Sequence, residues 1–241
     1  SYVIDVYRGE VKAQHNFSHM LLYISFFPQL IAGPIVKYKE IENQIRNRKE
    51  TLEKFSYGIL RFVRGLGKKV LLANAFAKVV DEIFKYGPDV ASRKTLWLGA
   101  VLYMLQIYYD FSGYSDMAIG LGKMFGFDFS ENFRHPYIAT SVQDFWRRWH
   151  ISLSSWFRDY LYIPLGGNRK GTFCTYRNLL IVFFLTGIWH GAGLAFIVWG
   201  LYYGVFLILE RVWLGERLKK CCPFAGWVYT MAVVFLGWIL F

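Results

Sequence analysis

The sequence predicts an all-α polytopic membrane protein. Of its 241 residues, 55% are hydrophobic and 20% are aromatic, which is more apolar surface than a soluble domain can cover. The apolar residues are gathered in long runs, and the longest, residues 179–209, contains no Lys, Arg, Asp or Glu. Runs of this length are typical of segments that cross a bilayer. The chain length suits one membrane domain over residues 1–241.

Basic residues lie in the gaps between the apolar runs. The formal net charge is +11, and two of the gaps hold Lys37, Lys39, Arg46, Arg48 and Lys49, and Arg211, Arg217, Lys219 and Lys220. This distribution indicates cytoplasmic loops facing anionic lipid. Because the sequence has no arginine-rich arm and no finger motif, we expect no nucleic-acid partner.

The first half of the chain alternates apolar and charged segments. Residues 17–36 are apolar but contain Pro28 and Pro34, so we expect an interrupted helix whose freed carbonyls are covered by protein or line a cavity. Residues 37–54 predict a charged linker with an amphipathic helix. Residues 55–84 predict a helix with a basic, interfacial end.

A third apolar segment, residues 95–109, continues into a stretch that carries Asp110 and Asp116 among small residues. Carboxylates in such surroundings can carry protons, bind a cation or hold an arginine. We favour a structural ion pair or a helix cap for both. After a polar turn at residues 166–171 and the long apolar run, a last span begins near residue 224.

The run 179–209 is too long for one simple span. As a single helix it would extend about 46 Å, against about 30 Å for the hydrocarbon core. Gly187, Gly191 and Gly193 therefore predict a break around His190, at a depth where irregular backbone lines an enclosed cavity. A buried imidazole stays neutral and can take a proton from a hydroxyl. The alternative is a structural histidine bonded to a carbonyl that the break frees.

Residues 144–167 concentrate arginine, tryptophan and histidine. If this segment is one helix, Trp146, His150, Ser154 and Arg158 share a face, and Asp144 can pair with Arg148. Such a composition suits an anchoring helix at the membrane interface, which we favour on these residues alone. It also suits binding of an anionic, flat ligand, with arginine on phosphates and tryptophan for stacking.

Other kinds of site are disfavoured by spacing. Cys174, Cys221 and Cys222 form neither a metal-binding spacing nor an even disulfide set. His15 and His19 are four residues apart but have no third ligand near in sequence, so we predict no metal site. The sequence has no G-x-S-x-G elbow, no Walker A motif and no G-x-G-x-x-G fingerprint, which disfavours a serine hydrolase or an ATPase.

Taken together in their order, five motifs closely resemble the membrane-bound O-acyltransferase family, in particular its branch of bacterial alginate O-acetyltransferases and teichoic acid D-alanyl transfer proteins. The motifs are FFPQLIAGPI (26–35), YYDFSGYSDMAIGLGKMFGF (108–127), ENFRHPY (131–137), DFWRRWHISLSSWFRDYLYIPLGGNRKG (144–171) and GIWHGAG (187–193). The resemblance implies a ring of transmembrane and re-entrant helices around a central tunnel. It also implies further helices on both sides of this piece, which we expect to be the central part of a longer chain.

The resemblance also implies roles for individual residues. His190 lies at the family's signature histidine and is expected to be the general base, and His150 to orient substrate or share proton handling. The other members of the expected substrate-binding set are Arg147, Arg148, Arg158, Trp146, Trp149, Trp189, Ser154, Asp110 and Asp116. Within that set, the arginines would meet phosphates of the donor and the tryptophans would line the tunnel.

The implied reaction transfers an acyl group, expected to be acetyl, from a cytoplasmic thioester to a hydroxyl. The donor would be acetyl-CoA or an acyl carrier thioester, with no permanently bound cofactor. The acceptor would be an exported polysaccharide or cell-envelope polymer, reached through an extracytoplasmic partner transferase, and the location a bacterial cytoplasmic membrane. A proton-coupled transporter or flippase is the alternative, although no repeated halves are visible. A third hypothesis is an inactive scaffold that recruits a partner.

Overall fold

A computed structural model describes residues 1–30, 32–86 and 90–241, and over these residues the chain forms helices and no strands. The α-helices are α1 (Tyr2–Tyr7), α2 (Phe17–Ser25), α3 (Tyr38–Asn47), α4 (Leu52–Gly67), α5 (Asn74–Lys85), α6 (Arg93–Met124), α7 (Val142–Arg148), α8 (Ile151–Phe157), α9 (Gly171–His190), α10 (Leu194–Leu209), α11 (Gly215–Lys220) and α12 (Pro223–Leu240). The predicted helical class is confirmed.

The chain divides into two compact units. Unit 1 contains Ser1–Val79 and Leu105–Asn132, and unit 2 contains Val80–Met104 and Phe133–Phe241. Helices α5 and α6 contribute residues to both units.

In unit 1, helices α4 and α6 approach closely at two glycine pairs. A Cβ atom added to Gly58 would lie 2.6 Å from the carbonyl oxygen of Gly120, and one added to Gly65 would lie 2.5 Å from that of Gly113. The residue numbers rise on one helix as they fall on the other, so the helices run antiparallel. Small residues at such crossings let two backbones approach, as is common between helices in membranes.

The predictions for the first half of the chain are largely confirmed. Helix α2 ends at Ser25, and Pro28 lies in the short 3₁₀ turn Phe27–Gln29 that follows it. The amphipathic helix predicted within residues 37–54 is α3. The helix predicted over residues 55–84 continues from α4 to α5 through a π-helical stretch, Lys68–Ala73.

Among its described residues, unit 2 has three helical segments that are long and apolar enough to cross a membrane, Gly171–His190, Leu194–Lys220 and Pro223–Leu240. The predicted break in the long apolar run is confirmed, because α9 ends at His190 and α10 begins at Leu194. The two helices pack through Gly187 and Gly200, where a Cβ atom would collide with backbone of the partner helix. The chain thus returns immediately after His190.

The single helix considered for residues 144–167 is wrong. Helix α7 ends at Arg148, and His150 adopts the left-handed region with φ 44° before α8 begins at Ile151. The backbone N–H of Arg134 donates to the carbonyl of Arg148 at 2.9 Å. A distant segment therefore takes the carbonyl that a continuous helix would have used itself.

Candidate active site

His190 is the last residue of α9 and is surrounded by aromatic rings. Its ring centroid lies 4.9 Å from that of Trp189, 5.0 Å from that of Trp199 and 5.0 Å from that of Phe241. Among the residues that the structure describes, none makes a hydrogen bond to the imidazole. The carbonyls of Gly187 and Ile188, near the helix end, accept from the backbone N–H of Gly191. The hydrogen bond expected of a purely structural histidine is therefore not made by any described group.

His150 occupies the turn between α7 and α8 and is only 4% exposed. Its ring stacks at 6.5 Å on Phe133, and the hydroxyl of Ser152 lies 3.5 Å from Nδ1. Burial lowers the pKa of the His150 imidazole to about 3, and His190 adds a smaller effect in the same direction. The ring is therefore neutral at physiological pH. Its positive φ is uncommon for a residue with a side chain and needs support from the surroundings.

Trp189 connects the two histidines. Its indole ring lies 6.3 Å from the ring of His150, and it also contacts the ring of His190. The two imidazoles, forty positions apart in the sequence, thus flank one indole in unit 2. Trp189 is itself 55% exposed, so this cluster is open on at least one side.

Four of the predicted binding residues line one cavity of about 250 Å³ in unit 2. They are Trp146, Arg147, Ser154 and Arg158, and α9 contributes the apolar residues Leu179, Val182 and Phe183 together with Thr186. These four residues come together although the helix between them is broken. Neither histidine belongs to the lining of this cavity.

Arg148 and Trp149, also in the predicted binding set, hold the turn together. The predicted pair is confirmed, because Arg148 Nε lies 2.9 Å from the carboxylate of Asp144. Arg148 also donates to the carbonyl of Arg134 at 3.3 Å. Trp149 is buried, with its ring 4.8 Å from that of Trp238. Both residues thus support the backbone that presents His150.

Asp110 and Asp116 belong to unit 1 and form ion pairs there. Asp110 pairs with Lys69, and Asp116 lies 2.6 Å from both Arg61 and Lys68. Burial disfavours the charge of Arg61, but hydrogen bonds and charges from Glu131 and Asp116 raise its pKa. The structural ion pairs that we favoured for these carboxylates are confirmed.

Sequence reasoning missed Glu210, a buried carboxylate at the end of α10. Its oxygens accept the backbone N–H groups of Val142 at 2.6 Å and of Gln143 at 2.9 Å. These are the first N–H groups of α7, which have no partner inside the helix. Glu210 therefore anchors α7 against α10. The only signal in the sequence is a lone acid that ends an apolar run.

Beyond Val142 and Gln143, α7 continues to pack against α10, and the two helices run antiparallel. Trp146 contacts Tyr203 with ring centroids 4.9 Å apart, and Trp146 and Trp199 are 5.8 Å apart. Trp199 then contacts His190. Helix α7 and helix α10 thus form one aromatic interface, with Glu210 at one end and the histidines at the other.

Two tryptophans of this interface, Trp146 and Trp199, share an unusual feature with Trp238 of α12. The indole N–H groups of Trp146, Trp199 and Trp238 are buried, and no described residue accepts a hydrogen bond from them. Buried donors are normally paired, and pairing cannot be read from residue order. No described cluster of three His, Cys, Asp or Glu side chains is placed to hold a metal ion.

Known proteins that are similar to this chain include the following three relatives. The probable alginate O-acetylase of Pseudomonas putida is 50% identical over 242 residues, which cover 100% of this chain and 49% of the relative. The peptidoglycan O-acetyltransferase of Helicobacter pylori is 42% identical, covering 94% and 44%. The teichoic acid D-alanyltransferase of Bacillus subtilis is 29% identical, covering 96% and 61%.

The chain spans about half the length of the first two of these relatives. Its match to the family itself is nearly complete, because the sequence pattern described as the membrane-bound O-acyltransferase family, MBOAT, extends over residues 9–241. That range includes the broken apolar run, the histidine cluster and the cavity of about 250 Å³. The three apolar helical segments of unit 2 agree with a membrane-embedded protein. This chain therefore belongs to the membrane-bound O-acyltransferase family.

Proposed function

We propose that the protein transfers an acyl group, most simply acetyl, from a thioester to a hydroxyl of an exported polysaccharide or cell-envelope polymer, with His190 as the general base. The observation that carries this proposal is the pair of imidazoles on either side of Trp189. His150 is neutral because it is buried, and no described group hydrogen-bonds His190. Because no described residue forms a hydrogen bond with the His190 imidazole, this ring can accept the proton of a hydroxyl group.

The proposed reaction needs one proton to be moved and one bond to be exchanged. The acceptor oxygen attacks the thioester carbonyl carbon while its proton passes to His190. The tetrahedral intermediate then expels the thiolate as the carbon–sulfur bond breaks. The imidazolium returns the proton to the departing sulfur, so that a thiol and an ester are produced and the base is regenerated. His150, positioned by Ser152 and Phe133, orients the reactants across Trp189.

The cavity that contains Trp146, Arg147, Ser154 and Arg158 suits the donor. Arg147 and Arg158 are exposed, and arginines bind phosphate through paired hydrogen bonds. The α9 wall is apolar and can cover a pantetheine chain. We therefore propose that acetyl-CoA, or an acyl group on a carrier protein, is the donor, and that the protein holds no permanently bound cofactor.

The acceptor and location are proposed from the relatives. Two of them are named for acetylation, of alginate and of peptidoglycan, and the third for D-alanylation of teichoic acid. All three names specify a polymer. We propose the bacterial cytoplasmic membrane as the location, with the base in a passage where donor and acceptor meet. An extracytoplasmic transferase then completes delivery to the polymer.

The test uses the purified full-length protein in lipid. Radiolabelled acetyl-CoA and an acetylated carrier protein are offered separately, each with and without an unmodified envelope polysaccharide. We expect label in the polysaccharide fraction or, without the extracytoplasmic partner, release of label from the thioester. His190→Ala should lower transfer by about 1,000-fold, because general acid–base catalysis contributes about 10²- to 10⁴-fold.

Glu216→Ala provides a matched surface control, since Glu216 lies far along the chain and pairs only with exposed Lys219 among the described residues. Full transfer by His190→Ala, with a folded protein, would remove His190 as the base. Transport of an unmodified precursor without any loss of label from the thioester would instead support a carrier.

A further inference from the structure

We propose that the indole N–H of Trp199 is the oxyanion donor of the reaction, and so Trp199 is a further catalytic residue. The inference rests on the proposed acyl transfer. It starts from the buried N–H of Trp199, for which no described residue is an acceptor.

Trp199 is well placed for this role by its packing. It is 1% exposed and lies in the second turn of α10, close after the break that follows His190. Its ring meets the His190 ring almost at right angles, with centroids 5.0 Å apart and an interplanar angle of 83°. Tyr203 and Trp146 also pack against the indole, with ring centroids at 5.4 and 5.8 Å. The ring is thus held by its neighbours before any substrate arrives.

An unpaired buried N–H is costly for the folded protein. Removing a donor from water without giving it a partner costs more than a normal hydrogen bond contributes. A phenylalanine would provide an apolar ring at this position without that cost. The unpaired donor is therefore best explained by an acceptor that is present only during function.

The proposed chemistry requires such a donor. As the hydroxyl attacks, the π electrons of the thioester carbonyl move onto its oxygen, which becomes an anion beside the base. The described side chains in ring contact with His190 are Trp189, Trp199, Phe196 and Phe241, so indole N–H groups are the side-chain donors among them. A donor that is fixed in advance in a water-poor site stabilises an oxyanion strongly.

The other candidate tryptophans each lack one of the two properties that favour Trp199 as the oxyanion donor. Trp189 also contacts His190, but it is 55% exposed and its environment is open. Trp146 and Trp238 share the unpaired buried N–H, but neither has a ring contact with His190 among the described residues. Among the residues that the structure describes, Trp199 alone combines a buried unpaired donor with direct contact to the proposed base.

The experiment separates the N–H from the ring. In the full-length protein, Trp199 is replaced by benzothienylalanine, in which sulfur takes the place of the N–H and the shape is kept, and in a second variant by phenylalanine. Trp238→Phe is the matched control, because it removes the same group from a ring that does not touch His190. The measurements are kcat and donor KM with labelled acetyl thioester, and the unfolding midpoint.

We expect both Trp199 variants to lower kcat by about 100-fold, the usual effect of losing one oxyanion donor. Donor KM should change little, because the oxyanion exists only beyond the ground state. The benzothienylalanine variant should unfold at a temperature no lower than wild type, since it removes an unsatisfied group. Trp238→Phe should keep kcat close to the wild-type value.

The following outcomes would contradict the proposed role of the Trp199 N–H. A benzothienylalanine variant with wild-type kcat would overturn the inference, as would equal losses of kcat in Trp199→Phe and Trp238→Phe. Parallel loss of kcat and thermal stability in the benzothienylalanine variant would assign Trp199 a packing role only. If wild-type protein transfers no acyl group, the proposed function fails and this inference fails with it. If the wild type is active and His190→Ala is not, the proposed function stands. The Trp199 variants then test the role of the indole N–H by themselves.

Discussion

The Asp116 network of unit 1 and the histidine cluster of unit 2 differ in how their polar groups are partnered. In unit 1, Asp116 is 8% exposed and bridges Arg61 and Lys68, while Arg61 also donates to both oxygens of Glu131 at 2.9 and 2.6 Å. Every member of that network has an opposite charge beside it. In unit 2, described residues make ring contacts but no hydrogen bond with the His190 imidazole, and the N–H of Trp199 has no described acceptor.

This difference separates structural from chemical roles. Charges in apolar surroundings are tolerated when they are paired, and removing one partner exposes the cost of burying the other. Neutral groups with unused donor or acceptor capacity can instead interact with a substrate. Both kinds of residue look alike in the sequence, as isolated polar positions among apolar ones. The structure distinguishes them by whether their hydrogen-bonding capacity is already used.

The largest effect on stability is expected in the unit 1 network. Asp116→Ala leaves Lys68 without its carboxylate and leaves Arg61 with Glu131 only. We expect the free energy of unfolding to fall by about 3 kcal/mol, in the range for breaking a buried ion pair. Denaturant unfolding of the full-length protein in detergent measures this. Acyl transfer per folded molecule should stay unchanged. A selective loss of transfer would contradict a purely structural role for Asp116.

A smaller effect is expected at Glu210, the buried carboxylate of unit 2 that does have partners. Glu210→Gln keeps one oxygen but places an NH₂ group against a backbone N–H of α7. Because a buried donor is then left unpaired, we expect a loss of about 2 kcal/mol. Ser141→Ala is the control, since Ser141 caps the same helix through Asp144 N–H at 3.0 Å without reaching α10.

The Ser141 variant should cost about 1 kcal/mol, the usual value for an N-cap. Hydrogen exchange of the Val142 and Gln143 amides should rise more in the Glu210 variant than in the Ser141 variant. Equal exchange in both variants would show that Glu210 does not anchor α7.

Over a single pH unit, the smallest of the three effects is the dependence of stability on pH that arises from His150. The unfolded chain binds a proton there as pH falls through 6.5, whereas burial delays protonation of the folded protein to about pH 3. The unfolded state therefore binds more protons in this window, and stability is lost as pH falls from 6.5, by at most about 1.4 kcal/mol per pH unit. His150→Phe should flatten this part of the profile relative to wild type. An unchanged slope would mean that His150 is protonated in the folded protein.

Much of the candidate site could be predicted because its signals are local. The break at His190 follows from a run too long for the bilayer and from three glycines, and both are visible within residues 179–209. The Asp144–Arg148 pair follows from helical spacing. The single helix over residues 144–167 was predicted wrongly, because Arg134, which takes the Arg148 carbonyl, lies on another segment.

The sequence by itself determined that this is a helical membrane protein, where its apolar helices turn, and which family it resembles. These properties depend on composition, on runs of neighbouring residues and on motif order. Only the tertiary structure decided that His150 and His190 share Trp189, that Glu210 anchors α7 and that the Trp199 N–H is unpaired. Each of these depends on contacts between residues far apart in the chain, and whether a buried donor finds an acceptor is a property of the packed interior.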